Sequence, residues 1–188
     1  MICLPEHFAY MSQKNYLQGK HILSGFNEKI GGPLFDRYRQ LALDNRVWLS
    51  LGSFPEASNT SESKLYSTHV ILNEEGNIAA TYRKLHMFDT DFLKEGVRRR
   101  HSESEIVIAG ESITEPCFSP VGYLGLSVSY DLRFPELYRH LMLKGAQILL
   151  VPSAFLAKTG SAHYETLLRT RAIENQVYVI ASSMVNDK

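Results

Sequence analysis

Cysteine is scarce in this sequence: Cys3 and Cys117 are the only two among 188 residues. They show no paired spacing, which excludes a disulfide-stapled secreted scaffold and a cysteine-held zinc site and leaves two reduced thiols, as expected of a cytoplasmic protein. Long apolar runs are missing too. None approaches the ~18 residues of a membrane span, and Met1 to Met11 holds Glu6 and His7 where a signal peptide needs apolar residues. Without export, the sequon Asn59-Thr60-Ser61 is silent. Charge of one sign is also absent. Twenty basic residues balance twenty acidic ones, so no bulk field draws the chain to nucleic acid or an anionic membrane. The single basic cluster, Arg98-Arg99-Arg100-His101, has no interleaved aromatics and reads as a solvated loop or a gate for an anionic substrate. Gly31-Gly32 and the pair Gly122 and Gly125 lack the pattern of a phosphate-cradling loop, and the seven histidines show no metal-ligand spacing. Small molecules or proteins are the partners that remain expected.

With 44% hydrophobic residues, the chain can bury one substantial core and is expected to form a single domain. Met1 to Pro5 reads as the tail of a strand, and Leu34, Phe35, Tyr38, Leu41 and Ala42 recur at helical spacing before Val47 to Leu51 turns strand-like. Tyr66 to Leu72 and Ile78 to Tyr82 flank Asn73-Glu74-Glu75-Gly76-Asn77, a hairpin loop. Ser58 to Lys64 is a surface loop, and from Thr90 to Ile113 the pattern is lost, which predicts a long functional loop. A regular order follows: strand Leu124 to Val128, helix Glu136 to Lys144, strand Ile148 to Val151, helix His163 to Glu174, strand Val177 to Ala181. This alternation predicts parallel pairing, with Ser129-Tyr130 and Pro152-Ser153 converging at one sheet edge beside Pro5-Glu6.

The most informative run is Gly122 to Glu136, where an apolar strand ends abruptly in Ser129, Tyr130, Asp131 and Arg133 before a helical pattern starts. Such a strand-turn-helix elbow lifts the apex side chain out of the sheet and aims backbone N–H groups at developing negative charge. Ser129 therefore occupies a nucleophile's position. Glu6 and Lys84 also follow strands, and a carboxylate, an ammonium and a nucleophile suffice for acyl transfer. Taken singly, Glu6 reads as a surface carboxylate at a strand end and Lys84 as an exposed lysine.

Together, Leu4-Pro5-Glu6, Tyr82-Arg83-Lys84-Leu85-His86-Met87-Phe88 and Ser127-Val128-Ser129-Tyr130-Asp131-Leu132-Arg133-Phe134-Pro135-Glu136 resemble the three signature segments of the nitrilase, or carbon–nitrogen hydrolase, superfamily. Pro152-Ser153-Ala154-Phe155 and Arg169-Thr170-Arg171-Ala172-Ile173-Glu174-Asn175-Gln176 extend the similarity over the whole chain. The details resemble the eukaryotic Nit branch, whose members hydrolyse deaminated glutathione and in some animals are fused to a Fhit nucleotide hydrolase. The resemblance implies an α/β fold, the nitrilase-like αββα sandwich, with strands and a helix of the family lying beyond both ends of this chain. It further implies homo-oligomers, association with a Fhit domain and no cofactor or metal.

Residue by residue, the resemblance implies Glu6 as general base, Lys84 as stabiliser of the tetrahedral intermediate and the Tyr130 N–H as part of the oxyanion site. Glu103 matches the second glutamate, which positions substrate and lysine, or is a solvated loop carboxylate. Arg133 matches the arginine that grips a substrate carboxylate in carbamoylase relatives, or pairs with Asp131 or Glu136. The departure is Ser129, where the family has a cysteine. A thiol beside a lysine loses its proton near neutral pH, whereas a hydroxyl requires stronger activation. His86 and His163 are the candidates for a serine-activating base, both at family positions read as structural. Serine here fits either an exchange that traps substrate or a drift toward a binding role.

Overall fold

The computed structural model describes residues 1–9, 28–61, 63–94 and 96–184; the expected end of the chain at Lys188 lies outside them. Two four-stranded sheets form the centre. The first has the order β1 (Ile2–Cys3), β2 (Leu49–Ala57), β3 (Leu65–Leu72), β4 (Ile78–Arg83), with β1 parallel to β2 and the rest antiparallel. The second has the order β10 (Tyr178–Ile180), β9 (Ile148–Leu150), β8 (Gly122–Leu126), β7 (Cys117–Ser119). Its members β8, β9 and β10 run parallel, as the alternation of strand and helix predicts, and β7 returns antiparallel as an edge.

Helix α1 (Pro33–Asn45) covers the outer face of the first sheet, because Phe35 and Ala42, seven residues apart on one stripe, are fully buried against Leu49, Leu51, Phe54, Val70 and Leu72. Proline opens the helix, and the Glu28 carboxylate accepts the Leu34 and Phe35 N–H groups at 2.9 Å each, capping from outside the segment. Helices α2 (Pro135–Leu143) and α3 (Ala157–Asn175) cover the second sheet. Gly125 faces α2, where an added Cβ would press on Leu141, so by strand alternation Leu124, Leu126 and Val128 face the first sheet. The layers are thus helix, sheet, sheet, helix, which is the αββα arrangement.

Three expectations require correction. β2 does not stop at Leu51 but continues to Ala57, because a bulge between Leu51 and Phe54 lets the strand bend past Gly52-Ser53 and resume pairing with β3. Thr90 to Ile113 is not a structureless loop. It holds a hairpin of β5 (Asp89–Lys94) and β6 (Val97–Ser102) and a 3₁₀ turn, Glu103–Glu105. A hairpin whose residues are mostly exposed has no apolar alternation to betray it. Helix α3 starts at Ala157, six residues before the expected His163 and running through Gly160.

One buried histidine joins the two sheets. His69 on β3 is fully buried; its Nε2 lies 2.7 Å from the Ser50 hydroxyl of β2 and its Nδ1 3.0 Å from the Ser127 carbonyl of the second sheet. Donation from Nδ1 to the carbonyl leaves Nε2 to accept from Ser50, a neutral tautomer. Burial pushes this imidazole down to about 4 from its ordinary 6.5. The native state therefore resists protonation while the unfolded chain accepts it below 6.5, so stability is full above pH 6.5 and declines as pH falls toward 4. The expected slope is up to about 1.4 kcal/mol per pH unit. Urea unfolding of His69→Gln compared with the parent between pH 7 and 5 should show a shallower decline in the variant.

Candidate active site

Three strand ends meet at one edge of the sandwich. The Leu4 N–H donates to the Ser50 carbonyl at 2.8 Å, extending the β1–β2 pairing, after which the chain turns and His7 takes a left-handed conformation with its N–H on the Ser53 hydroxyl at 3.0 Å. Gly52 makes this entry feasible, since a Cβ there would sit 2.2 Å from the Leu4 carbonyl and 2.6 Å from Pro152 Cβ. Ser182 reaches from beyond β10 to donate to the same Leu4 carbonyl at 2.9 Å. These ties place Glu6 inward, 2% exposed. It is no surface carboxylate.

Lys84 follows β4 and is equally buried, its backbone held by the N–H on the Ser67 carbonyl at 2.9 Å and by its own carbonyl accepting from Gly110 at 2.8 Å. Its Nζ donates to Glu6 Oε1 at 3.2 Å and to both oxygens of Glu103 at 2.7 and 2.9 Å. Glu103 is buried in its 3₁₀ turn rather than solvated, and also accepts the Phe88 N–H at 2.6 Å. All three ammonium protons are engaged by carboxylates.

Ser129 opens a 3₁₀ turn, Ser129–Arg133, between β8 and α2, and its φ of 46° puts a non-glycine residue in the left-handed region. That strain is characteristic of an elbow that lifts a side chain clear of its sheet. Its N–H donates to the Pro152 carbonyl at 2.8 Å, and its side chain is one of the groups that lower the Glu6 pKa. The Asp131 N–H is engaged by the Val128 carbonyl, while the Tyr130 N–H has no backbone acceptor among the described residues.

Asp131 organises the elbow and escapes sequence reasoning as a site residue. Fully buried, its carboxylate accepts the Val128 N–H and the Tyr82 hydroxyl at 2.8 Å each, and the His86 N–H at 3.1 Å, with His86 Nδ1 at 2.7 Å. It thereby ties the Ser129 turn to the segment that carries Lys84. The available signal was an acid three residues into a turn, where it can cap the preceding N–H. His86 thus serves Asp131, and its ring stacks on Phe134 at 3.6 Å, while His163 Nδ1 lies against Arg133; among the described residues no hydrogen bond joins either histidine to Ser129, so the serine triad does not assemble.

Arg133 forms no ion pair with Asp131 or Glu136 among the described residues. Its guanidinium lies 5.8 Å over the Tyr130 ring and 5.5 Å over Phe155, 3.4 Å from His163 Nδ1. Tyr130 itself is half-buried, its ring centroid 5.1 Å from that of Phe88.

Electrostatically, burial raises the Glu6 pKa, but the Lys84 ammonium, then His7 and the Ser129 hydroxyl, outweigh it and hold the carboxyl below its ordinary range. Burial likewise depresses Lys84, and the charges of Glu6 and Glu103 overcome it and hold the amine well above its usual range. At neutral pH the cluster is two carboxylates around one ammonium. It can accept a proton at Glu6 and stabilise an oxyanion at Lys84, with the Ser129 hydroxyl on the neighbouring turn.

Comparison with known proteins gives a consistent match. The carbon-nitrogen hydrolase family model matches residues 1–188. A deaminated glutathione amidase of Dictyostelium discoideum is 46% identical over 188 residues, all of this chain and 63% of that protein. The nitrilase and fragile histidine triad fusion protein NitFhit of Drosophila melanogaster is 46% identical over 159 residues, 85% of this chain and 33% of that protein. The crystal structure of the C. elegans NitFhit protein superposes with a TM-score of 0.84 at 38% identity, covering 100% of this chain and 44% of that one. The chain thus spans less than two thirds of the length of each.

Replacing Asp131 by Ala strands the Tyr82 hydroxyl and the Val128 and His86 amides in a buried site. An expected loss of about 3–5 kcal/mol in unfolding free energy follows, measurable by urea denaturation. A loss below about 1 kcal/mol would contradict its role as the tie between elbow and lysine.

Proposed function

The chain belongs to the carbon–nitrogen hydrolase family, and on that premise we propose that its buried carboxylate, ammonium and hydroxyl receive a linear amide and cleave it through an acyl-serine. The observation that carries this reading is Lys84 Nζ bridging Glu6 and Glu103 at 3.2 and 2.7 Å, with Ser129 at the strained turn after β8. As Ser129 Oγ bonds the carbonyl carbon, its proton passes to Glu6, and the oxyanion is met by Lys84 and the Tyr130 N–H. The C–N bond then breaks while Glu6 returns the proton to the leaving amine, and water repeats the sequence on the ester, releasing the acid and restoring the hydroxyl. Glu103 keeps Lys84 in place when Glu6 is protonated, leaving a neutral pair.

The substrate proposed is deaminated glutathione or a similar ω-amide, supported by relatives that bear that name. Its cleavage yields 2-oxoglutarate and cysteinylglycine. Arg133 lies on the same turn as Ser129, with its guanidinium over the Tyr130 and Phe155 rings, and suits one of the substrate's carboxylates. Association with a Fhit domain and self-association are proposed on the fused relatives and on apolar groups exposed along α3 and β10, Ile173 and Tyr178 among them.

Ser129 favours a second reading, a homologue that binds without turnover. The base is poorly matched to a hydroxyl, because the ammonium that keeps Glu6 ionised also lowers its appetite for a proton, and a hydroxyl holds its proton far more tightly than a thiol.

Assay of deaminated glutathione cleavage by Ser129→Cys separates the two readings of the site from its failure. The variant is expected to exceed the parent in kcat/KM by on the order of 10⁴. Equal and negligible turnover in both proteins would count against an intact amidase site. In Ser129→Cys, a further Lys84→Met is expected to remove the gained activity.

A further inference from the structure

The β5–β6 hairpin carries the one sequence feature that the catalytic cluster leaves unused, Arg98-Arg99-Arg100-His101. Across the hairpin Thr90 pairs with His101, Asp91 with Arg100, Phe92 with Arg99 and Leu93 with Arg98, and directly opposed side chains share a face. One face therefore holds Asp91, Leu93, Arg98 and Arg100, the other Thr90, Phe92, Arg99 and His101.

The two faces differ in charge. On the first, Arg98 Nε donates to Asp91 at 2.8 Å and Arg100 meets Glu105 at 3.3 Å, so both guanidinium groups are neutralised. On the second, Arg99 is exposed and has no ion pair among the described residues. This second face is also the one turned toward the catalytic turn. The His101 ring lies 5.0 Å from that of Phe88, and Phe88 lies 5.1 Å from Tyr130, the neighbour of Ser129. An aromatic track thus leads from the nucleophile position to His101, and Arg99 stands two residues farther out, about 7 Å along the strand.

We propose that Arg99 is a specificity-determining residue that receives the remote carboxylate of an amide substrate whose scissile bond lies at Ser129. This rests on the amide-hydrolase reading above. A guanidinium with no ion pair among the described residues offers a planar fork to a carboxylate, whereas Arg98 and Arg100 each already face an acid. The rings of Phe88 and Tyr130 give the connecting arm a flat apolar support. The substrate class that fits is an ω-amide with a peptide-length arm ending in a free carboxylate, which distinguishes it from short primary amides.

Calorimetric titration of the full chain with glutaryl-alanylglycine and with its carboxamide-capped counterpart tests this. The parent is expected to bind the free carboxylate about five- to tenfold more tightly, the preference shrinking as salt is raised. Arg99→Gln should bring the ratio to about one by weakening the carboxylate probe alone, and Arg98→Gln should retain it. A preference that survives in Arg99→Gln, or equal binding of both probes by the parent, would overturn the role of Arg99 while leaving the amide reading intact. Binding of neither probe by the parent overturns both.

Discussion

The Lys84 ammonium, enclosed by two carboxylates in a place with almost no solvent, is the interaction on which this site depends. A lone buried ammonium would shed its proton, and two buried carboxylates alone would repel each other; together each keeps the others charged. The three groups come from β1, β4 and the turn after β6, so the cluster also reports that those elements have been brought to register. A buried cluster of this kind is weak evidence of stability in itself. Its worth lies in holding a carboxylate and an ammonium at fixed separation in a place shielded from water.

The second constraint is the strained turn at Ser129. Its left-handed backbone is held from below by the Pro152 carbonyl and from the side by Asp131, which spans the gap to Tyr82 and His86. Elbow and lysine are thereby parts of one hydrogen-bonded unit. Strain and capping at this turn act through the backbone and through Asp131, not through the Ser129 hydroxyl.

The family relationship and the fold agree with this account, and both were legible early. Short motifs such as Leu4-Pro5-Glu6 and Tyr82-Arg83-Lys84 carry the residues and the strand ends together, and the alternation after Leu124 predicts the parallel second sheet. Less legible were features whose partners lie far along the chain. Glu28 as the cap of α1, the bulge that prolongs β2 past Gly52, and His69 as the bridge between sheets have no local signature, since each depends on what the neighbouring strand or helix presents.

The sequence by itself determined residue chemistry and local order: where apolar periodicity changes, where strands run out into polar residues, and that a serine stands at the elbow. It could not decide whether Glu103 was solvated or buried, whether Arg133 met an acid, or which of three consecutive arginines lay unpaired. Those outcomes turn on facing and burial. They are fixed only when strand pairing assigns each side chain to a face and the packing of two sheets decides which faces exclude water.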